Sequence, residues 1–434
     1  MNIEKIFEHR RFHLFAGLLI AVSAFLVYSN TFYASFHFDD TPQIVENYKI
    51  RSLSNWFDIV RGQRGIAMLT FAVNYAIGGL NVVGYHIVNL AIHITNGVLV
   101  YFLIFLTLGR IDMGTAAGQG FSPANSNSEG LPYNVKAKRI AIYTALLFTV
   151  HPIQTQAVTY IVQRMEILAS LFMLIGLLFF IKGAGASNTY AKILFYGGVL
   201  ASYLLGFYSK ETAITLPAII FLYDYCFLAS GEFRKLISRL PLYILLLAML
   251  VILAAPTFSG LKETPGGSAG FGVQSITSKE YLFTQFNVLI YYITLLFVPI
   301  NQNLDYDFPI SKGLFETPLV KEGTVLNIPI PPPIISLIIL LGIIGFALYL
   351  LLKRTQGSRR SQRSLLAFFI LWFFIILSPT SSFIPIIDVI FEHRLYLASM
   401  GFFALFSLAF DRLFEYMERR KDKVAVKVQD EGNA

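Results

Sequence analysis

The stretch Ile334–Leu352 reads IISLIILLGIIGFALYLLL and carries no charged side chain over 19 residues. An α-helix needs about 20 predominantly apolar residues to cross the hydrocarbon core of a bilayer. The whole sequence of 434 residues shares this character, with 55% hydrophobic residues, 14% charged residues and a mean hydropathy of +0.62. A soluble domain carries about 25% charged residues. The composition therefore excludes a soluble globular protein.

Nine other apolar stretches are candidates for spanning helices. They lie at Phe12–Asn30, His86–Gly109, Ile140–Val150, Ile167–Lys182, Tyr190–Tyr208, Ala213–Leu228, Leu240–Ala255, Leu365–Leu377 and Leu395–Phe410. Two further stretches, 66–80 and 281–298, are ambiguous. We therefore expect an all-α polytopic membrane protein with about 10–12 transmembrane helices. The first loop and the late large loop should each contain a helix that lies at the outer surface or re-enters the membrane.

The distribution of basic residues predicts the orientation in the membrane. If neither ambiguous stretch crosses, one side holds both termini and 23 of the 34 Lys and Arg residues. Because positive residues mark the cytoplasmic side, we expect both termini there and the long loops, about 32–85 and 257–333, on the outer face. Residues 1–415 then form one transmembrane domain, and 416–434 a charged cytoplasmic tail. The cytoplasmic segment Asp112–Tyr133 is rich in Gly, Ser and Asn, which is typical of a flexible connector.

Two other classes of protein have no support. The one cysteine, Cys226, lies inside an apolar run, which excludes a disulfide scaffold and argues against thiol chemistry. The basic clusters are short and scattered, so the positive charge is explained by membrane orientation and indicates no nucleic-acid binding.

An acidic pair follows the first helix directly. Asp39 and Asp40 end the sequence SFHFDD at residues 35–40. Like charges and desolvation both raise a carboxyl pKa, so adjacent carboxylates at the membrane boundary can ionise differently, as a general base requires. The alternative for an isolated Asp-Asp sequence is a solvated pair at a helix end.

Three other places put charge at the outer ends of helices. They contain Arg164 with Glu166, Lys210 with Glu211, and Glu392 with Arg394. Charged groups at membrane depth are costly and tend to be functional, and Arg or Lys presented there suits a phosphate. The alternative is interfacial snorkelling beside a neighbouring carboxylate. Three basic residues near an acidic pair predict a site for an anionic headgroup next to a base.

His86, Asn89 and His93 recur at i, i+3 and i+7 and so share one face of a helix. Hydrogen bonding between packed helices is the favoured interpretation, since a metal site needs further ligands that the sequence does not reveal. We therefore predict no required cofactor, and a divalent metal has no support. Asp305 and Asp307 could supply carboxylates to an outer site, but ordinary loop residues are the simpler interpretation.

Taken in order along the chain, these residues resemble a known family. The matching positions are Phe38–Asp40, Asn47, Leu69–Phe71, Asn74–Tyr75, Tyr85–Leu90, His93, Phe148, His151–Ile153, Ala157–Val158, Arg164, Glu166, Leu168, Ser209–Thr212 and Glu392–Gly401. The set covers about Phe36 to Phe402 and resembles the transmembrane and tetratricopeptide-repeat O-mannosyltransferases.

The resemblance implies a GT-C glycosyltransferase fold. It also implies inverting transfer of a sugar, most simply mannose, from a polyprenyl phosphate to an acceptor hydroxyl on the non-cytoplasmic side, with a protein Ser or Thr favoured. Carried over by position, Asp39 and Asp40 include the catalytic base. Arg164, Lys210 and Arg394 would bind the donor phosphate. The supporting or substrate-binding residues would be His151, Glu166, Glu211, Glu392, His86, Asn89 and Arg64.

Some features depart from the family. Gln154 and Gln156 stand where the family more often has His and Glu, and Arg64–Ile66 reads Arg-Gly-Ile in place of Arg-Pro-Leu. We do not expect this protein to have the helical-repeat tail that the family carries. This expectation favours a location in a bacterial inner membrane, with the site facing the periplasm. Expected partners are the lipid-linked donor, a protein or glycan acceptor and membrane lipids. A transporter or flippase of lipid-linked sugars, a scaffold without activity, and a glycolipid or polysaccharide transferase are the alternatives.

Overall fold

A computed structural model describes residues 7, 9, 11–116, 133–263, 267–319, 330–353 and 358–432, and most of these residues are helical. The α-helices are α1 (Phe12–Tyr28), α2 (Trp56–Arg61), α3 (Gly65–Gly78), α4 (Val82–Ala116), α5 (Tyr133–Val150), α6 (Thr155–Thr159), α7 (Arg164–Gly185), α8 (Thr189–Phe207), α9 (Leu216–Tyr223), α10 (Phe233–Ile237), α11 (Leu240–Glu263), α12 (Ser278–Phe297), α13 (Pro333–Leu352), α14 (Ser358–Leu377) and α15 (Leu395–Gly432). These ranges contain no β-strand, and one isolated antiparallel bridge joins Ala269 to Ile386.

Eight helical segments of the described chain are long and apolar enough to cross a membrane. They are Phe12–Thr31, Val82–Arg110, Ile161–Gly185, Thr189–Phe207, Glu211–Leu228, Pro333–Leu352, Arg360–Leu377 and Glu392–Met417. The prediction of an all-α polytopic membrane protein is therefore confirmed. The predicted connector at 112–133 lies mostly outside the described residues, and α15 continues through most of the predicted tail.

The number of such segments is smaller than the 10–12 predicted, for reasons visible in the helices. Ile140–Val150 belongs to α5, whose first turns carry basic residues that lower its hydropathy. Leu240–Ala255 belongs to α11, which is apolar only as far as Pro256. Of the two ambiguous stretches, α3 has 14 residues and is about 21 Å long, and α12 buries polar side chains along one face.

The two largest hydrophobic clusters organise the described residues. The larger one lies between the long helices, where α7 packs along α8, α4 along α5, and α14 along α15. The smaller one lies beneath the loop that joins α1 to α4, and it contains Ile44, Ile59, Phe71 and Tyr85. This second cluster also includes Ile161 and Met165, so the first loop packs onto the start of α7.

A buried ion pair joins α5 to the last helix. Asp411 is 1% exposed and Arg139 is 7% exposed, and the Arg139 Nη2 lies 2.6 Å from the Asp411 Oδ1. Lys136 also lies 3.3 Å from Asp411 and 2.7 Å from Glu415. Removing one partner of a buried pair leaves the other charge uncompensated.

We expect Asp411→Ala to destabilise the protein by about 3 kcal/mol, because the buried Arg139 would keep only the more distant Glu415 carboxylate, at 3.7 Å. The measurement is the apparent melting temperature of the purified protein in detergent. Glu232→Ala is the matched control, since Glu232 pairs with Lys235 at the surface, where both side chains are about half exposed. Equal melting temperatures for the two variants would contradict this account of the α5 and α15 contact.

Candidate functional site

A cavity of about 630 Å³ lies where the loops meet the ends of several helices. Its polar side is formed by Asp39, Gln63, Arg64, Gln163, Lys210, Glu211, His393 and Arg394. Its apolar side includes Phe207, Ile214, Ala218, Leu250, Ala254 and Ile375. Most drug-sized ligands occupy pockets of about 300–1,000 Å³. The cavity can therefore hold a ligand with a charged part and an apolar part.

The two aspartates of the predicted acidic pair have different surroundings. Asp39 is exposed and lines the cavity, and its backbone N–H donates to the Tyr160 hydroxyl at 2.8 Å. Asp40 is 1% exposed, and its carboxylate accepts the backbone N–H groups of His37 at 3.1 Å and of Val162 at 2.7 Å. Asp39 therefore faces the cavity, whereas Asp40 anchors the loop to the start of α7.

The backbone before the acidic pair is strained. Phe38 has a φ of +44°, in the left-handed region that a bulky aromatic residue rarely adopts. The contacts of Asp40 and of the Asp39 N–H hold this turn on both sides. Strain of this kind costs about 1–3 kcal/mol and clusters at functional sites, so the conformation supports Asp39 as a residue whose position matters.

Arg64 reaches the cavity through a second unusual turn. Its φ is +54°, and it immediately precedes α3. A Cβ on the next residue, Gly65, would clash with the carbonyl oxygens of Ile59 and Val60, so this turn requires glycine. The Arg64 Nε lies 3.0 Å from a carboxylate oxygen of Glu211, which joins the first loop to the turn between α8 and α9.

Lys210 lies between two acceptors at the wall of the cavity. Its Nζ is 3.0 Å from the Glu166 carboxylate and 3.1 Å from the Gln163 side-chain oxygen. Burial lowers the pKa of the Lys210 ammonium, and the neighbouring Glu166 charge opposes that shift. Glu166 thus offsets part of the cost of burying this cation beside the cavity.

Arg394 makes no ion pair within the described ranges. Its guanidinium donates to the backbone oxygens of Val389 at 3.2 Å and of Asp388 at 2.7 Å, and it lies over the Phe391 ring. These acceptors are neutral. The positive charge of Arg394 at the cavity is therefore not balanced by a contacting carboxylate in the described part of the chain.

Arg164 departs from its predicted place. It was expected to bind phosphate, but it is fully buried and does not line the cavity. Its Nε donates to Asn89 at 2.7 Å, one terminal nitrogen donates to Asn74 at 2.6 Å, and the other donates to the Tyr85 carbonyl at 2.9 Å. The ring of Phe71 packs against it at 4.6 Å. The guanidinium therefore joins α3, α4 and α7, and its donors face protein acceptors.

The polar residues of α4 bond between packed elements, as the simpler interpretation predicted. Asn89 bonds Arg164, Val158 and Ile161, and His86 bonds the Ala34 carbonyl at 3.0 Å. His93 bonds the Tyr396 hydroxyl at 2.7 Å and the Thr149 carbonyl at 3.0 Å. No group of three or more His, Cys, Asp or Glu suited to a metal ion occurs among the described residues.

Glu392 and His151 also lie outside the cavity wall. Glu392 accepts hydrogen bonds from Gln302 at 2.6 Å, from the Asn303 backbone at 2.9 Å and from the Tyr306 hydroxyl. It therefore ties the late large loop to the start of the last helix. His151 directly follows the last residue of α5. Its side chain accepts a hydrogen bond from the Ile153 backbone N–H at 3.2 Å and packs on the Phe403 ring.

Four polar residues near the cavity were not predicted as site residues. Gln63, Gln163 and His393 line the cavity. Each is adjacent in sequence to an arginine that was predicted as a site residue, and no other feature of the sequence indicates their position. Asp388 has no motif at all. Burial raises its pKa, and the charges of Asp305 and Asp39 add to the rise while Arg394 opposes it, so these carboxylates lie within electrostatic range of one another.

Comparison with known proteins identifies proteins whose sequences are similar to this chain. The mouse protein O-mannosyl-transferase TMTC3 is 26% identical over 424 residues, which cover 89% of this chain and 41% of that protein. The human TMTC3 is 25% identical over 411 residues, covering 86% of this chain and 40% of that protein. The fruit fly (Drosophila melanogaster) Tmtc3 is 27% identical over 233 residues, covering 49% and 24% respectively. The chain is a relative of the protein O-mannosyl-transferases. No protein-family model and no solved structure matches it.

The matched region spans about a quarter to two fifths of these relatives.

The burial of the Asp40 carboxyl predicts a pH effect on stability. Burial raises the pKa of Asp40 to about 6, outweighing the two N–H donors that favour its ionised form. The folded state then binds the proton more tightly than the unfolded chain, so the stability contributed by Asp40 increases as the pH falls through 6 towards 4. Between pH 7.5 and pH 5, wild-type protein should gain roughly 1 kcal/mol relative to Asp40→Asn. A stability difference that does not change with pH would contradict the raised pKa.

Proposed function

We propose that this chain is an integral-membrane glycosyltransferase of GT-C architecture. It transfers a sugar, mannose in the first instance, from a polyprenyl phosphate to a hydroxyl group of a protein acceptor, with inversion at the anomeric carbon. The relatives named as protein O-mannosyl-transferases support the reaction class. The site is the cavity that Asp39, Lys210 and Arg394 line.

The observation that carries this proposal is the two-sided character of the cavity. Cationic side chains lie beside an exposed carboxylate at one side, and apolar residues of α8, α9, α11 and α14 line the other. A polyprenyl phosphate sugar has the same division into an anionic headgroup and an apolar chain. The chain can enter between helices while the sugar stays at the polar side.

Asp39 is the proposed general base. Its carboxylate takes the proton of the acceptor hydroxyl, and the hydroxyl oxygen forms a bond to the anomeric carbon as the bond from that carbon to the phosphate oxygen breaks. A base must come within about 3 Å of the hydroxyl. Asp40 is a positioning residue in this scheme, because its carboxylate is occupied by two backbone N–H groups.

Lys210 and Arg394 are the proposed ligands of the departing phosphate. The electron pair of the broken bond stays on the phosphate oxygen, and fixed cations are most effective where charge develops during the reaction. Arg394 has no contacting carboxylate among the described residues to compete for it. Arg64 lines the same cavity, paired with Glu211, and supports the acceptor or the sugar. Arg164 holds the walls together without touching the substrate.

The proposal also includes the orientation of the chain in the membrane. The excess of basic residues on the opposite side of the chain supports a cavity that opens on the non-cytoplasmic face, with both termini cytoplasmic. For a bacterial inner membrane this is the periplasmic face. A carrier of lipid-linked sugars is the weaker alternative, because carriers place their substrate near the midplane between related halves, whereas these charged residues lie at helix ends and in turns.

Asp39→Asn should reduce the rate of transfer by about 10²- to 10⁴-fold, because the amide cannot accept the hydroxyl proton. The assay uses purified protein with radiolabelled polyprenyl phosphate mannose and a Thr-containing peptide, and it measures labelled peptide. Asp58→Asn is the matched control, since Asp58 is an exposed carboxylate on the same loop. Wild-type activity in Asp39→Asn would refute the assignment of the base.

The double variant Lys210→Met with Glu166→Gln tests the phosphate site. Both charges of the pair are removed together, so no buried carboxylate is left uncompensated. The apparent melting temperature should stay close to that of wild type, while the affinity for polyprenyl phosphate falls by about 10- to 100-fold through loss of one charge-assisted contact. Unchanged affinity, measured by competition with the labelled donor, would exclude Lys210 as a phosphate ligand.

A further inference from the structure

Two extended segments pair at the wall of the cavity. Ala269 and Ile386 form an antiparallel bridge, flanked by a hydrogen bond from the Gly270 N–H to the Pro385 carbonyl at 2.8 Å and one from the Ile387 N–H to the Ser268 carbonyl at 3.0 Å. We refer to residues 268–270 and 385–387 as the ribbon. Ser268, Ala269 and Ile386 line the cavity, so the ribbon is continuous with the proposed active site.

The pattern of these bonds leaves backbone groups free. The two hydrogen bonds join the residues on either side of Ala269 and Ile386. Ala269 and Ile386 are therefore a non-hydrogen-bonded pair, and the N–H and C=O groups of each residue point away from the other strand. On the Ile386 side, the neighbouring carbonyl of Asp388 accepts a hydrogen bond from Arg394 at 2.7 Å. On the other side, Ala269 is exposed, and its N–H and C=O have no partner among the described residues.

An apolar surface adjoins the ribbon. The rings of Phe271 and Phe383 stack with centroids 6.2 Å apart and an interplanar angle of 28°. They are 48% and 55% exposed, so each has a free face beside the ends of the ribbon. An extended chain that paired with Ala269 would bring side chains within reach of these rings.

We propose that the acceptor is an extended polypeptide segment that adds to the Ala269 edge as a third strand. This inference rests on the proposed function and specifies its acceptor. A polypeptide backbone supplies an N–H and a C=O at the spacing of the free groups, which is how strand addition recognises a peptide; the hydroxyls of a glycan have no such arrangement. The acceptor Ser or Thr then lies beside the cavity that Asp39 lines, and apolar side chains contact the Phe271 and Phe383 rings.

The expected binding is weak. A hydrogen bond of this kind contributes about 0.5–1.5 kcal/mol net, and Ala269 offers one donor and one acceptor. Recognition would therefore depend on backbone conformation more than on a sequence motif. Weak binding is suited to a transferase that must release its modified protein.

N-methylation of the acceptor provides the test. The probe is a short fluorescent peptide of alternating valine and threonine, and a set of analogues carries one N-methyl group at successive positions. Fluorescence anisotropy with wild-type protein measures binding, and transfer from labelled polyprenyl phosphate mannose measures turnover. We expect a methyl group on the one peptide amide that donates to the Ala269 carbonyl to weaken binding and raise KM by about tenfold, with little effect at the other positions, because Ala269 offers a single acceptor.

Two protein variants extend the test. Ala269→Pro removes the backbone donor, and Ala269→Ser, which keeps it, is the matched control. Phe383→Ala should weaken peptide binding without changing donor binding. If Ala269→Pro lowers the melting temperature, the methylated peptides with wild-type protein still decide the question.

The outcomes separate this inference from the proposed function. Equal binding of all methylated analogues, or transfer to a soluble glycan that the peptide does not inhibit, would overturn strand addition while leaving the transferase intact. Absence of both donor binding and transfer would instead refute the proposed function, whatever the peptide does.

Discussion

The position of the proposed site depends on a buried cation that the substrate does not touch. Arg164 is fully buried and donates to Asn74 of α3, to the Tyr85 backbone and to Asn89 of α4. A buried guanidinium is tolerated only when its donors are satisfied, so the first loop must dock in one arrangement for the protein to fold. The same contact surface includes Val162, whose N–H binds Asp40. Folding of this region therefore places Asp39 at the cavity as a consequence.

The three cations at the cavity have different kinds of partner. Lys210 is paired with Glu166 in a buried position, Arg64 is held by Glu211 across two loops, and Arg394 is held by backbone carbonyls. An anion that enters must compete with a carboxylate at the first two positions, but it meets only neutral acceptors at the third. An anion that binds Arg394 therefore displaces no contacting carboxylate among the described residues.

Sequence patterns predicted the elements of this protein better than the roles of its residues. Apolar runs such as Ile334–Leu352 predict helices because burial in a bilayer requires only length and hydropathy. The acidic pair was recognised, but its division into Asp39 at the cavity and buried Asp40 depends on contacts with Tyr160 and Val162, more than 100 residues away. Arg164 was assigned to phosphate because a sequence does not reveal which acceptors will surround a cation. Asp388 carried no pattern, since only the folding of the loop between α14 and α15 brings it near Asp39 and Asp305.

The polar side of the cavity is formed mainly by turns, and its apolar side is formed by helices. This division has a consequence for how a substrate enters and leaves. The turns carry two strained residues, Phe38 and Arg64. Asp39, which follows Phe38, donates its N–H to Tyr160, and Arg64 pairs with Glu211, so each turn is held by a distant part of the chain. Helices α9 and α11 contribute small residues, Ala218 and Ala254, on the apolar side. A lipid chain can therefore move along the helices without disturbing the turns. In the proposed reaction, the side chains of these turns stay in place while the lipid-linked donor enters along the helices and the acceptor approaches the polar side of the cavity.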